Sequence, residues 1–205
     1  MITIIDYGVG NIKAFLNVYK QLNIPARTAT TAAEVESATK LILPGVGAFD
    51  HAMDRLNNSG MREALDEAVL NRKVPVIGIC VGMQMLSASS DEGKLPGLGW
   101  IDGSVKKFDV TQIRDITHLP HMGWNDVKPV ADVPLFTGLM NHARFYFLHS
   151  YYFECNKQED ILAVTDYGGQ FACAVGSDTI YGVQFHPEKS HHYGIQLLNN
   201  FANLT

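Results

Sequence analysis

The segment Val74–Gln84, which reads VPVIGICVGMQ, contains the pattern that decides the fold of this chain. The apolar run that opens it predicts a buried strand, and a helical pattern over Met83–Ala88 follows. Gly78 and Gly82 stand two residues on either side of Cys80. A sharp turn from strand to helix needs small residues there, because a side chain would meet the neighbouring backbone. The segment therefore predicts a strand, a tight turn at Cys80 and a helix.

The rest of the first half repeats this alternation of short apolar runs and helical patterns. Ile2–Ile5 and Leu41–Leu43 predict two further strands. Apolar residues at helical spacing predict helices after Gly10 and around Leu65. Continuous apolar strands that alternate with helices are typical of a parallel sheet covered on both faces.

The second half predicts antiparallel or mixed pairing added to the same sheet. Turn signals such as Tyr167–Gln170 separate its closely spaced apolar runs. A final helix is predicted at Tyr193–Leu204. The fold class is therefore α/β, with a mainly parallel central sheet in three layers and an antiparallel extension. The strand-like runs are Gly99–Phe108, Trp124–Val130, Phe145–Phe153, Ile161–Asp166, Phe171–Ser177 and Ile180–Phe185.

Length and composition predict one domain over residues 1–205 and exclude several functional classes. A chain of 205 residues is close to the usual length of one large domain. The net charge of −5 argues against a nucleic-acid-binding protein, which usually carries a basic patch. No apolar run reaches the ~18 residues of a membrane span. Met1–Ile5 has no basic region before it and predicts a strand, not a signal peptide.

The cysteine content indicates the redox state of the compartment, and the charge content indicates how much of the surface faces water. Three cysteines, in a chain without an export signal, indicate a reducing cytoplasm. Charged residues make up 18% of the chain, below the typical ~25%. We therefore expect part of the surface to be covered by something other than water.

Cys80 is the candidate nucleophile. The predicted turn lifts its sulfur above the carboxyl end of the sheet and sets it at a helix N-terminus, where the dipole favours the thiolate. It also directs the backbone N–H of Val81 at the carbon that the sulfur would attack. A free cysteine is most often a buried structural residue, and that role is kept for Cys155 and Cys173, which lack flanking glycines.

A cysteine nucleophile needs a base, and His186 with Glu188 is the candidate pair. Residues i and i+2 of a strand face the same way, so the carboxylate can hold the far nitrogen of the imidazole. A solvated strand end is the simpler alternative for these two residues taken alone. His191 and His192 follow closely, but no ligand spacing typical of zinc is present, and no metal is predicted.

The Cys80 turn and the His186-Pro187-Glu188 sequence together resemble the class I, or triad, glutamine amidotransferases. The resemblance is closest to the glutaminase subunits of imidazole glycerol phosphate synthase, an enzyme of histidine biosynthesis, and it covers the whole chain. It implies that Cys80 attacks the side-chain amide of glutamine, with His186 and Glu188 as its partners and no cofactor. The other matching motifs are Asp6–Asn11, Pro44–Phe49, Pro120–Asn125 and His186–Ser190.

The resemblance also implies roles for residues outside the triad. Backbone N–H groups would hold the tetrahedral oxyanion, and a second set of residues would grip glutamine. Serine at position 150 departs from the threonine that relatives often carry, but it keeps the hydroxyl. The implied oxyanion residues are Val46, Gly47 and Val81, and the implied substrate-binding residues are Gly45, Gln84, Glu92, Ser150 and Tyr151.

A glutaminase that produces ammonia needs an acceptor, and the resemblance implies that this acceptor is a separate (β/α)₈ cyclase subunit in a heterodimer. The implied docking residues are Asn11, Trp124, Tyr146 and Lys189. Core packing is the alternative for Trp124. Two alternatives for the whole chain stay open: the glutaminase subunit of pyridoxal phosphate synthase, and a non-catalytic α/β binding or redox-sensing module.

Overall fold

The computed structural model describes residues 1–109, 111, 119–130, 132–140 and 143–204. Within these residues eleven strands form one mixed sheet, and two others form a separate two-stranded sheet. The strands are β1 (Ile2–Ile5), β2 (Ala26–Ala29), β3 (Leu41–Gly45), β4 (Val76–Cys80), β5 (Ser89–Ser90), β6 (Gly103–Lys107), β7 (His121–Asp126), β8 (Lys128–Pro129), β9 (Arg144–His149), β10 (Tyr151–Cys155), β11 (Ile161–Asp166), β12 (Gln170–Ser177) and β13 (Ile180–Val183).

The helices of the described residues lie mostly in the first half of the chain. Short 3₁₀ turns, among them Pro187–Lys189, interrupt the second half. The α-helices are α1 (Ile12–Gln21), α2 (Ala32–Glu36), α3 (Phe49–Asn57), α4 (Arg62–Asp66, continued by a π-helical turn at Glu67–Asn71), α5 (Val81–Gln84) and α6 (His191–Asn203).

The large sheet is parallel on one side and mainly antiparallel on the other, where the short edge strand β5 pairs in parallel with β6. The order β2-β1-β3-β4-β13 is parallel throughout. From β13 the pairing continues antiparallel to β12, β10 and β6. The register sets Gly45, the last residue of β3, beside Cys80, the last residue of β4. Two carboxyl ends of neighbouring parallel strands therefore meet at Cys80.

Helices cover both faces of the parallel part. The connection from β1 to β2 runs towards the sheet edge, whereas the connection from β3 to β4 runs in the opposite direction. Because parallel crossovers are right-handed, α1 of the first connection lies on one face of the sheet, and α3 and α4 of the second lie on the other. Contacts agree with this, since α1 packs against α6 while α2 packs against α4. Fully buried side chains from both layers, such as Phe15, Phe49 and Phe201, complete the core around the apolar strands. The predicted α/β class with an antiparallel extension is confirmed.

Three expectations about the elements are corrected. The runs around Trp124 and Phe145 do not all join the main sheet, because β7 and β9 pair with each other in a separate sheet. The run Phe145–Phe153 is two strands, since the extended structure is interrupted at Ser150, between β9 and β10. The helix after Cys80 is the single turn α5, not the longer helix predicted over Met83–Ala88.

Among the elements that were not anticipated are β2 at the sheet edge and α3, which begins at Phe49, the last residue of the Pro44–Phe49 motif. Helix α6 begins at His191, two residues before the predicted start. Among the described helices, none is long and apolar enough to cross a membrane.

Candidate active site

Cys80 ends β4 in a conformation that an ordinary strand residue does not adopt. Its φ is +56° and its ψ is −113°, and α5 begins at the next residue, Val81. A positive φ on a residue with a side chain is a strained conformation that concentrates at functional sites. The tight turn predicted from the sequence is confirmed, but the dipole at Cys80 is that of one helical turn only.

The two flanking glycines are required by close backbone contacts. A Cβ on Gly82 would lie 2.0 Å from the carbonyl oxygen of Leu43, and one on Gly78 would lie 2.5 Å from the carbonyl oxygen of Gly82. Neither neighbour can move easily, since both atoms belong to the sheet or the turn. The pattern of glycines around Cys80 thus follows from the packing of this turn against β3.

His186 and Glu188 form a buried pair beside Cys80. His186 Nδ1 lies 3.0 Å from Glu188 Oε1, and the two side chains expose 4% and 2% of their surface. Burial lowers the pKa of His186, but its hydrogen bonds with Cys80 and Glu188 and their negative charges raise it well above its ordinary value. With Nδ1 directed at the carboxylate, Nε2 is the nitrogen left for the sulfur.

The contact predicted between His186 and Glu188 is present, but the local structure that makes it differs. Strand β13 ends at Val183, and Pro187–Lys189 is a 3₁₀ turn. Backbone hydrogen bonds anchor this turn to β9: the His186 N–H donates to the Tyr146 carbonyl at 2.9 Å, and the Tyr146 N–H donates to Ser190 Oγ at 2.9 Å. The turn, and not strand alternation, brings the carboxylate to the imidazole.

A pocket of about 460 Å³ opens above the sulfur. Its volume is in the range of sites for small molecules. No group of three or more His, Cys, Asp or Glu side chains in the described part of the chain is arranged as metal ligands. The lining residues are Val46, Gly47, Cys80, Val81, Gln84, Glu92, Pro120, Leu148, His149, Ser150, Tyr151, His186 and Lys189.

The three residues expected at an oxyanion hole all line this pocket. Among the described residues, none of Val46, Gly47 and Val81 donates its backbone N–H to a backbone carbonyl. Gly47 has a φ of +84°, which a residue with a side chain adopts only with strain. The buried Tyr7 hydroxyl donates to the Pro44 carbonyl at 2.6 Å. Burial raises the pKa of Tyr7, so it stays a donor that anchors the start of this loop.

Glu92 reaches the pocket from the loop after β5. Its Oε2 accepts the backbone N–H of Phe49 at 2.9 Å, at the start of α3. Asp50, one residue on, accepts the N–H groups of Lys94 and Leu95. The loop that holds Glu92 is therefore tied to the segment that follows Gly47.

The remaining residues expected to bind substrate divide into two groups. Gln84, Ser150 and Tyr151 line the pocket, and Gln84 Nε2 donates to the Tyr151 carbonyl at 3.2 Å. Gly45 is not among the lining residues. It packs beneath the pocket, where a Cβ would lie 2.4 Å from the nitrogen of Gly82.

Three of the four residues expected at a partner interface lie together. Trp124 and Tyr146 oppose each other across β7 and β9, and Lys189 Nζ lies 5.9 Å from the centre of the Tyr146 ring. Trp124 exposes 40% of its surface, which argues against core packing. Asn11 is exposed just before α1, whose helix contacts the 3₁₀ turn that carries Lys189.

Two large apolar side chains beside this group were not predicted from the sequence. Met122 and Leu148 oppose each other in the β7–β9 register and expose 65% and 38% of their surface. Val46, which lines the same pocket as Leu148, is exposed as well. Met122 and Trp124 are two residues apart, so strand alternation could have identified the apolar face of β7. We call Val46, Met122, Trp124 and Leu148 the apolar rim.

Comparisons with known proteins identify the family. The family described as Glutamine amidotransferase class-I matches residues 3–204. The chain is 60% identical over 205 residues to the imidazole glycerol phosphate synthase subunit HisH of Bdellovibrio bacteriovorus, with both chains covered in full. The corresponding HisH of Leptospira interrogans is 54% identical over 204 residues, again with 100% of each chain covered.

The chain belongs to the HisH group of class-I glutamine amidotransferases.

Solved structures show the same fold at low sequence identity. The structure of PurLQS from Thermotoga maritima superposes with a TM-score of 0.74 at 14% identity, covering 98% of this chain and 97% of that one. A crystal structure of a glutamine amidotransferase gives a TM-score of 0.71 at 17% identity, with 97% and 98% covered. The class-I amidotransferase fold predicted from the motifs is thus confirmed.

The other two cysteines of this amidotransferase lie outside the pocket. Cys173 is fully buried in β12, and Cys155 ends β10 half-buried. Burial raises the pKa of Cys155 to about 12, with the charges of Asp160 and Asp102 adding to it, and burial also raises the pKa of Cys173. Both side chains therefore stay neutral thiols at neutral pH.

A buried histidine pair, of which His149 lines the pocket, was also missed. His121 Nδ1 lies 2.9 Å from His149 Nε2, and the His121 ring is stacked between Phe147 and Tyr167. Burial lowers the pKa of His121 to about 4. Burial and the nearby charge of His121 lower the pKa of His149 to about 3. Both rings are therefore neutral at neutral pH.

We expect this pair to make folding stability fall with decreasing pH. Below the ordinary histidine pKa of 6.5 the unfolded chain takes up protons that folded His121 and His149 do not. Each can contribute up to about 1.4 kcal/mol per pH unit of lost stability down to the folded pKa. His121→Gln should lower the slope of the unfolding free energy between about pH 5 and 6 by this amount. Urea denaturation at several pH values measures it.

The control for this slope is the exposed residue His51, and His51→Gln should leave it unchanged. His186 acts with the opposite sign, because its pKa is raised. Its stabilisation is complete below the ordinary pKa and is lost as the pH rises through the folded value. The contribution of His186 is the same in the wild type, His121→Gln and His51→Gln, so it cancels when their slopes are compared. A wild-type slope in His121→Gln would mean that the buried pair is protonated in the folded chain.

Proposed function

We propose that this chain hydrolyses glutamine through a Cys80 thioester and passes the ammonia to a cyclase subunit, as part of an imidazole glycerol phosphate synthase in histidine biosynthesis. The observation that carries the proposal is the buried Cys80–His186–Glu188 arrangement at one pocket. Full-length similarity to HisH subunits supports the same assignment.

The chemistry requires one nucleophile and one proton carrier. The sulfur of Cys80 attacks the side-chain amide carbon of glutamine, and His186 holds the thiol proton. The tetrahedral intermediate collapses as His186 gives that proton to the leaving nitrogen, so ammonia departs and a glutamyl thioester remains. His186 then takes a proton from water as it attacks the thioester, and glutamate leaves as the sulfur is protonated again. Glu188 keeps the imidazole oriented throughout.

The oxyanion of each tetrahedral intermediate needs donors that are not already used. The backbone N–H groups of Val46, Gly47 and Val81 fit this requirement, since they line the pocket and serve no backbone carbonyl among the described residues. Loss of one such donor typically costs about 10²–10³ in kcat. A loop that presents the Val46 and Gly47 groups only after a partner docks would make the lone chain a poor glutaminase.

The polar wall of the pocket suits an amino acid substrate. Glu92 carries the negative charge that would bind the ammonium of glutamine, while the Ser150 hydroxyl and the Gly47 N–H would bind its carboxylate. Both N–H groups of the Gln84 amide are already donated, to Tyr151 and Gln184, so its oxygen remains as the acceptor for a substrate N–H. Tyr151 offers backbone contact, and Gly45 supports the loop from below.

The apolar rim is the surface on which a (β/α)₈ cyclase would dock. Exposed apolar groups beside a pocket mark an interaction surface, and aromatic anchors are typical of one. Trp124, Tyr146, Lys189 and Asn11 would contact the partner around the pocket mouth. Coverage of this face gives a reason for the low charge content of 18%.

The other parts of the proposal follow from this assignment. We propose one amidotransferase domain over residues 1–205, in the cytoplasm, with no cofactor or metal, no nucleic acid and no membrane association. The alternative of a pyridoxal phosphate synthase glutaminase loses its support, since the curated relatives above are HisH subunits. A purely binding or redox-sensing module gives no reason for the Cys80–His186–Glu188 arrangement.

We expect glutamate release from glutamine to rise by about 10²–10³-fold when the cyclase subunit is added, the size of one restored oxyanion donor. The assay measures glutamate from the isolated chain and from a co-purified complex with the cyclase. A pyridoxal phosphate synthase partner serves as the control and should give no rise. Absence of hydrolysis in the cyclase complex would end the enzyme interpretation.

A further inference from the structure

Gln184, two residues before His186, is a buried polar side chain for which the chemistry above has no role. Its Nε2 lies 3.8 Å from the sulfur of Cys80, and its Oε1 accepts the Nε2 group of Gln84 at 3.0 Å. Both glutamines are almost completely buried. An amide can be turned over, so its N–H groups reach the sulfur only if a neighbour determines its orientation.

The carbonyl oxygen of Tyr151 determines that orientation. A carbonyl oxygen can only accept, so Gln84 must present its NH₂ group to Tyr151. The second N–H of that group then donates to Gln184, whose side-chain oxygen must be the acceptor. The NH₂ group of Gln184 is thereby left for Cys80.

The Tyr151 carbonyl also accepts a hydrogen bond from the histidine pair. His149 Nδ1 donates to the Tyr151 oxygen at 2.7 Å, so its Nε2 must accept from His121 Nδ1. His121 Nε2 in turn accepts from the Asn125 amide at 3.3 Å. Every hydrogen bond from Asn125 to the Tyr151 carbonyl is therefore donated in the same direction. The Tyr151 oxygen accepts from both His149 and Gln84.

We propose that Gln184 is a further catalytic residue, which stabilises the Cys80 thiolate by donating an N–H to it. His121 and His149 are then positioning residues, because they hold the Tyr151 carbonyl on which the orientation of the Gln184 amide depends. The proposal rests on Cys80 being the nucleophile of the proposed function. A thiolate accepts such a hydrogen bond better than a neutral thiol does, because bonds to ionised groups are about twice as strong.

The test is alkylation of Cys80 by iodoacetamide in the full-length chain, followed by peptide mass spectrometry so that each cysteine is read separately. Only the thiolate reacts, so the rate at pH 7 reports how well the thiolate is stabilised. Gln184→Met keeps an unbranched side chain of similar size but has no donor. We expect it to slow alkylation at pH 7 by about 10-fold or more, and to react at the wild-type rate near pH 10.

Two results would overturn the role of Gln184. One is a wild-type rate at pH 7 in Gln184→Met. The other is a deficit that persists near pH 10, since that would reflect access or packing. Gln170→Met, at the exposed start of β12, is the control and should match the wild type at both pH values. Thermal unfolding of each variant verifies that it is folded in the assay.

The positioning role is tested at His149, where a conservative variant separates orientation from packing. Asn at this position places an NH₂ group near the site of Nδ1 and can still donate to Tyr151, whereas Leu cannot. We expect His149→Leu to slow alkylation at pH 7 and His149→Asn to restore at least half of the lost rate. Equal slowing in both variants would contradict the positioning role.

The assay needs neither glutamine nor the cyclase. If the wild-type complex proves unable to hydrolyse glutamine while the alkylation results hold, the proposed function and the catalytic role of Gln184 both fail, and only the hydrogen bond from Gln184 to the Cys80 thiolate stands. If hydrolysis occurs but Gln184→Met alkylates normally, only the assignment of Gln184 fails.

Discussion

Cys80→Ala lowers glutamine-dependent turnover of the complex with the cyclase by about 10⁴–10⁶-fold, the loss seen when a covalent nucleophile is removed. No other thiol can replace it, since Cys155 and Cys173 lie outside the pocket. Turnover with added ammonium salt should stay within about twofold of wild type, because ammonia needs no thioester. The measurement is product formation with glutamine and, separately, with ammonium chloride.

The substitution is structurally mild. Cys80 is 4% exposed, so the change alters little of the surface offered to a partner. Alanine has to adopt the same φ of +56° that cysteine already does, and only one sulfur atom is lost. Cys155→Ala is the matched control and should retain both activities. Loss of ammonia-dependent turnover in Cys80→Ala would contradict the division of work between two subunits.

Local patterns were enough to predict the turn that carries Cys80. The reason that Gly78 and Gly82 are glycine lies within a few residues of Cys80 and the strand beside it, and such constraints leave a clear mark in a sequence. The His186–Glu188 contact was predicted correctly from an incorrect local structure. Pro187 fits the first position of a 3₁₀ turn, and that turn closes the contact as well as a strand would.

Patterns of alternation could not decide which strands pair. The segments that form β7 and β9 have the same strand-like character as their neighbours, yet they form a sheet of their own. Pairing depends on contacts between distant parts of the chain, such as the register of His121 with His149. For the same reason local patterns do not reveal the buried His121–His149 pair or the contacts of Gln184, because the residues in each contact are 28 to 104 positions apart.

Strand β7 connects the apolar rim, the proposed partner surface, with the surroundings of the candidate nucleophile Cys80. Met122 and Trp124 of β7 face outward in the apolar rim, while His121 and Asn125 of the same strand face inward to the chain of hydrogen bonds that ends at Tyr151. Strand β7 therefore has one face in the proposed partner surface and the other in the hydrogen-bond chain beside the candidate site.

Glu188→Gln should lower kcat for glutamine hydrolysis by about 10²–10⁴-fold. The lower figure corresponds to the loss of one charge-assisted hydrogen bond, and the upper one to an imidazole held in the wrong tautomer. The carboxylate favours the protonated form of His186, which must donate to the leaving ammonia. KM should change by less than about threefold, because Glu188 does not line the pocket. Steady-state kinetics of the cyclase complex measure both constants.

Glu159→Gln changes the net charge by the same amount on an exposed 3₁₀ turn and should leave kcat and KM unaltered. An increase in KM with an unchanged kcat in Glu188→Gln would assign the carboxylate to substrate binding. The direction of the effect on His186 follows from burial. Only 2% of the Glu188 side chain is exposed, so its charge is poorly screened by water, and neutralising it removes one of the two negative charges, with that of Cys80, that raise the pKa of His186. The imidazole of the variant then gives up its proton more readily to the solvent, and the fraction of enzyme able to protonate the leaving nitrogen falls.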